Sequence, residues 1–119
     1  MLLLAALLLA PAPKPPRFTT DVMPILTRAG CNSGPCHGAN AGRGGFHLSL
    51  LGFDPRSDYE AMTRFVSGRR VRLDAPDESL ILRKATGQLS HGGGERFAKN
   101  APEYLALRSW IAEIGRAHV

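Results

Sequence analysis

The pattern of apolar and polar residues predicts four helices joined by glycine-rich loops. Apolar side chains recur every three or four positions in each of four stretches, which gives a helix one buried face. These stretches are residues 19–30, 57–68, 75–87 and 101–113. Thr20 is the expected cap of the first helix, and Gly30 is its expected stop.

The other three helices carry their own start and stop signals. Ser57 and Glu60 have the spacing of a capping box at the start of the second helix. Pro76 and Gly87 bound the third, and Pro102 opens the fourth, because proline is tolerated in the first turn of a helix. The sequence therefore predicts a mainly α single domain.

The helical periodicity also predicts which side chains face the interior. Residues 42–55 are expected to form a loop with a short extended piece, on which His47 points away from the apolar face. That face carries Phe46, Leu48 and Leu50. The inward helix residues are expected to be Val22, Met23, Ile25, Leu26, Tyr59, Met62, Phe65, Val66, Leu80, Ile81, Leu82, Tyr104, Leu105, Leu107, Trp110 and Ile111.

Both ends of the chain are expected to lie outside the domain. Residues 1–12 have the length of a signal-peptide core and are too short to span a bilayer. They predict export to the periplasm or beyond, and residues 13–17 form a proline-rich linker. Residues 114–119, "IGRAHV", resemble translated sequencing-adapter read-through. We therefore expect a natural chain that continues past this point into further domains, with the first folded domain at 18–113.

Composition and charge narrow the function classes. Only 7% of the 119 residues are aromatic, so a buried cofactor would complete an otherwise thin core. The net charge of +5 is scattered, and the longest basic run is Arg69-Arg70, which argues against a nucleic-acid partner. The positive bias is either an ordinary solvated surface or a means of steering toward an acidic redox partner. No nucleophile-base pair, phosphate loop or carboxylate pair is present, so we expect no enzyme within this chain.

Cys31, Cys36 and His37 form the chemical motif of the chain. Two thiols followed directly by a histidine are typical of covalent haem attachment, in which the imidazole binds the iron as proximal ligand. Four residues separate the cysteines here, instead of the common two. The Gly34-Pro35 turn must therefore loop outward if both sulfurs are to face one ring.

Three other interpretations of the two cysteines stay open at this point. They can form a local disulfide in an oxidising compartment. They can bind zinc together with His37 and a fourth ligand such as His91 or His47. They can also be unrelated thiols beside a surface histidine.

Four segments resemble a known family, the planctomycete-type cytochrome c domain of large exported bacterial proteins. They are "FTTDVMPIL", "CNSGPCHGANAGRGGFHLSL", "DAPDESLILRKATG" and "YLALRSWIAE". The resemblance runs from Phe18 to Glu113, about four-fifths of the chain. It implies a small cytochrome c-like fold with one covalent haem c on Cys31, Cys36 and His37. It also implies electron transfer with a redox protein partner.

The resemblance also bears on the second iron ligand. Most relatives carry a methionine followed by two prolines near the last helix, whereas this chain has no methionine beyond Met62. His91, followed by three glycines, occupies the corresponding place and inherits the distal role, so His37 and His91 are the expected iron ligands. Met23 and Met62 are expected to be core residues. If His91 is not bound, the domain is instead a redox or gas sensor or a peroxidase-like module, and without haem it is a disulfide-stabilised interaction domain.

Overall fold

The regular structure of the chain is helical, as the sequence predicts. The computed structural model describes residues 14–65 and 67–117, and there the only strand-like feature is a single bridge between Arg43 and Phe46. The expected signal peptide lies outside the described residues. Four α-helices follow in order: α1 (Met23–Arg28), α2 (Pro55–Thr63), α3 (Leu80–Ala85) and α4 (Pro102–Ala117). A π-helical turn (Phe18–Val22) leads into α1, and 3-10 turns occupy Leu50–Gly52 and Pro76–Glu78.

The first helical segment begins at Phe18 with Arg17 as its cap residue, three residues before the predicted cap Thr20. The carboxylate of Asp21 accepts the amide hydrogen of Arg17 (2.7 Å), and the Arg17 carbonyl accepts the first amides of the π-helical turn. The stop at Gly30 is confirmed, since this residue has a φ of 80°, which suits glycine. None of the helices in the described residues is long and apolar enough to cross a membrane.

The capping box expected at the start of the second helix is not formed. Asp54, rather than Ser57, is the cap, because its carboxylate accepts the Ser57 amide (3.2 Å) and Pro55 takes the first helical position. The helix also ends at Thr63, earlier than expected. Phe65 therefore lies beyond its last turn and is 61% exposed instead of inward-facing, while Val66 falls outside the described residues.

The last two helices are close to the prediction. Pro76 opens a 3-10 turn and α3 begins only at Leu80, whereas Pro102 starts α4 as expected. The prediction for Leu105 is wrong, because it is 45% exposed. The buried positions 104, 107 and 111 follow helical spacing, and residue 105 lies about 100° away from position 104 around the axis. The helix continues to Ala117, with Ile114 packed against the core.

The core joins the two ends of the domain. The Phe18 ring lies 5.3 Å from the Trp110 ring and 5.3 Å from the Tyr59 ring, measured between centroids. The expected extended piece does not form a strand: Leu48 is buried, but Leu50 is 49% exposed on a 3-10 turn. The buried apolar residues are Val22, Met23, Ile25, Leu26, Leu48, Met62, Val71, Leu82, Ala85, Phe97, Tyr104, Leu107, Trp110 and Ile111.

Candidate functional site

The segment 31–38 folds into a closed loop directly after α1. The Cys31 amide donates to a carbonyl of the helix (2.9 Å), and the His37 amide donates back to the Cys31 carbonyl (3.0 Å). Gly34 and Pro35 are exposed at the tip of the loop. The chain therefore turns outward between the cysteines, as the sequence predicts, and returns to place His37 beside Cys31.

Gly38 and Asn32 hold this loop closed. A Cβ atom on Gly38 would overlap the backbone carbonyl oxygens of Asn32 and Ser33, so only glycine fits at this position. The Asn32 side chain is fully buried and donates to the Thr27 hydroxyl (3.0 Å). The buried side-chain amide of Asn32 thus holds the loop from inside. The lack of a side chain at Gly38 lets the backbone of the loop close.

His37 presents one specific ring nitrogen to the interior. Its Nδ1 lies 2.9 Å from the Phe46 carbonyl oxygen, and the two rings lie 4.6 Å apart. Because a carbonyl only accepts, Nδ1 carries the hydrogen and Nε2 keeps the lone pair that a metal needs. Burial lowers the pKa of His37, which also favours the neutral ring.

His91 is held in the same tautomer on the opposite side. Its Nδ1 lies 3.2 Å from the Gly94 carbonyl oxygen, and the Gly94 amide donates to the His91 carbonyl (2.9 Å). Gly93 packs directly beneath the ring, so that a Cβ there would lie 3.0 Å from Cε1. The imidazole therefore rests on a glycine turn with its Nε2 free.

The two imidazole rings lie close together and nearly parallel in the structure. Their ring centroids are 6.2 Å apart, and their planes are within 9° of parallel. Two imidazoles bound on opposite sides of one ion, through bonds of about 2.0–2.1 Å, have centroids about 6.3 Å apart. The observed spacing of His37 and His91 fits this arrangement.

Both histidines line one cavity of about 710 Å³, a volume within the usual range of about 300–1,000 Å³ for cofactor pockets. Cys31 and Cys36 open onto the same cavity. Its apolar lining includes Leu26, Phe46, Met62, Leu80, Ile81, Phe97 and Leu107. Its charged lining consists of Arg43, Arg69, Arg70, Lys84 and Arg96, and none of the lining residues is acidic.

No protein-family model, curated protein or solved structure matches this chain. Its functional interpretation therefore rests on the residues of this cavity and on the packing around them.

Arg70 supports the side of the cavity that carries His37 and is not a free surface cation. It is only 6% exposed and donates to the carbonyls of Gly45 (2.7 Å), Ala61 (3.2 Å) and Phe65 (3.1 Å). Its guanidinium also lies 4.7 Å from the centre of the Phe46 ring. Phe46 supplies the carbonyl that orients His37. Through its contact with the Phe46 ring, Arg70 therefore helps to hold Phe46 in place.

The remaining candidates lie elsewhere. His47 is exposed and lines a separate, open depression beside α2. Met23 is a buried core residue, as predicted, whereas Met62 is buried and also borders the cavity. Sequence reasoning missed Arg96, which lines the cavity and donates to the Ala29 carbonyl, because a contact across 67 positions leaves no local signal.

The thiols are free, and burial raises the pKa of Cys31 against the opposing charge of Arg96. Within the described residues, no three His, Cys, Asp or Glu side chains converge as metal ligands. A porphyrin supplies four nitrogens of its own, so a haem iron in this cavity would need only two protein ligands, a number that His37 and His91 could supply.

Proposed function

We propose that this chain is a c-type cytochrome domain that carries electrons through one covalently attached haem. The observation that carries the proposal is the pair His37 and His91, which share one cavity with the two cysteines and have a centroid spacing close to that of two imidazoles on one iron. Cys31 and Cys36 open onto the same cavity and would attach the haem by thioether bonds. When bound, the haem supplies an iron that gains and loses one electron.

The protein residues position this group and set its properties. His37 and His91 each commit Nδ1–H to a backbone carbonyl, which leaves Nε2 as the donor atom and fixes the ring orientation. Imidazole on both sides favours ferric iron more than a methionine does, so we expect a reduction potential below that of histidine-methionine cytochromes. If His37 and His91 both held the iron, the site would have no open position for a substrate.

The helix packing supports a cytochrome c-like arrangement. Phe18, at the start of the first helical segment, contacts Trp110 on α4, so the N-terminal and C-terminal helices lie together. The cavity is bounded by residues of α3 and of the loops that follow α1 and α3. This is consistent with a small haem domain whose terminal helices close one side of the ring.

A second function is favoured by one feature of His91. It lies on a run of three glycines, and those glycines give its backbone more freedom than the loop that holds His37. If His91 leaves the iron, the domain becomes a redox or gas sensor or a peroxidase-like module. The spin state of the ferric iron separates the two functions, because loss of the distal ligand gives a high-spin spectrum.

The test of haem attachment is direct. The chain is matured in an exporting host that carries cytochrome maturation machinery, and the product is extracted with acid-acetone. We expect a red protein that keeps its haem, with a low-spin ferric spectrum and no near-infrared band of methionine ligation. The double variant with Cys31→Ala and Cys36→Ala should carry no covalently attached haem.

A colourless product, under conditions that mature a control cytochrome, would contradict the proposal. A red protein that is already high-spin would favour the sensor or peroxidase-like function. A protein that binds haem but loses it on extraction would show that the thiols are not the attachment points.

A further inference from the structure

The loop that carries His91 is tied to α3 at its two ends. The Leu89 amide donates to the Arg83 carbonyl (3.0 Å), and the Arg96 amide donates to the Ala85 carbonyl (2.7 Å). Between these anchors the chain contains Ser90, His91, three glycines and Glu95, which form only one turn of their own. These two backbone hydrogen bonds thus fix where the loop starts and ends. They do not fix the position of its tip relative to His37.

The Arg96 side chain supplies the missing connection. Its Nε donates to the Ala29 carbonyl (2.7 Å), directly before the cysteine loop, and its Nη1 donates to the Gly93 carbonyl (3.2 Å), beneath the His91 ring. The guanidinium also packs against Gly30, where a Cβ would lie 2.5 Å from Nη2. Among the residues that the structure describes, it is the only side chain hydrogen-bonded to both segments.

We infer that Arg96 is a positioning residue for His91, holding the distal ligand loop against the cysteine loop. The inference rests on the proposed function, since it assigns how the second iron ligand is kept in place. The two donors of Arg96 point in fixed directions from one planar group, so the carbonyls of Ala29 and Gly93 cannot move apart without breaking a bond. The distance between the His37 side and the His91 side of the cavity is thereby set by one side chain.

Arg96→Ala and Arg96→Lys separate this role from a simple charge effect. Lysine keeps the positive charge but offers a single nitrogen in place of the planar fork. We expect both variants to raise the rate of cyanide binding to the ferric protein by roughly tenfold to a hundredfold, because the variants lose the hydrogen bonds of a charged donor. Both should also show a larger high-spin fraction. Arg56→Ala is the matched control, since Arg56 is 91% exposed and far from the His91 loop in the sequence.

A second measurement does not depend on haem. Backbone order parameters of Gly92 to Gly94 are measured by NMR on the full chain produced without maturation. We expect order parameters of about 0.85 in the parent protein and below about 0.6 in Arg96→Ala. If the parent protein never takes up haem, the proposed function fails, while this comparison still decides the role of Arg96.

Several results would overturn the inference. Arg96→Ala with unchanged cyanide kinetics, spin state and order parameters would show that the loop holds itself. Arg96→Lys behaving as the parent protein, beside a loosened Arg96→Ala, would show that charge and not the bridge matters. Order parameters that are already low in the parent chain would show that Arg96 does not position the unliganded loop.

Discussion

Gly93 offers the sharpest test of the proposed distal ligand, because a side chain at this position would crowd the His91 ring. A methyl group at this position would lie 3.0 Å from Cε1 and 3.6 Å from Nε2. Carbon atoms in contact prefer about 3.5–4.0 Å, so the ring must retreat by roughly 0.5 Å or more. Metal–ligand distances hold within about 0.2 Å, so a ring displaced this far no longer makes a full bond.

We therefore expect Gly93→Ala to weaken His91 ligation while leaving the thioethers intact. The ferric spectrum should gain a high-spin component, and cyanide or carbon monoxide should bind with at least about tenfold higher affinity, which corresponds to about 1.4 kcal/mol. Titration of the ligand against the Soret band measures both effects on one sample.

Gly92→Ala is the matched control for this experiment. A Cβ on Gly92 meets no atom within 4 Å, and its backbone angle is not in the left-handed region. Both substitutions reduce the freedom of the unfolded chain by the same amount, so that contribution cancels. Equal ligand affinity in the two variants, with a low-spin spectrum in both, would refute the placement of His91 at the iron.

Two further predictions concern the cysteine loop and the stability of the fold. Gly38→Ala should prevent the loop from closing around His37 and abolish haem attachment, whereas Gly34→Ala, whose Cβ meets nothing within 4 Å, should mature normally; pigment yield per unit of protein is the measurement. The Tyr104 hydroxyl donates to Asp77 and holds the pKa of that carboxyl below its ordinary value. This interaction stabilises the fold above the unfolded-state pKa of about 3.9, and the stabilisation is lost as pH falls through the folded value. Tyr104→Phe should cost about 1 kcal/mol at pH 7 and less at pH 3, by urea unfolding; an equal cost at both values would contradict the assignment.

Local signals predicted the helices well because each depends on neighbouring residues. Pro102 and Gly30 mark real boundaries, since proline and glycine act through their own backbone angles. The errors arose where two local signals competed. Asp54 and Ser57 are both good caps, and the proline that follows Asp54 decided between them.

The candidate site was only partly readable from the sequence. The proposed attachment residues lie within seven positions of each other, so spacing alone brings them together. The expectation that His91 lies beside His37 came from a resemblance and not from periodicity, because that placement depends on the packing of a loop 54 residues away from His37. The burial of Arg70 was not predictable from the sequence either, since nothing local distinguishes a buried arginine from an exposed one.

The charged side chains that line the cavity are all cationic, and this has a consequence for the fold without a ligand. Positive charges that surround a shared space repel one another, and Arg70, being nearly buried, is the least screened by water. At an ionic strength of 0.1 M such repulsion fades over about 10 Å, so dissolved salt relieves it. A ligand that carries two carboxylates relieves it more completely by neutralising charge on contact. Binding of such a molecule thus reduces the repulsion between the cationic side chains of the cavity, in addition to adding apolar contacts.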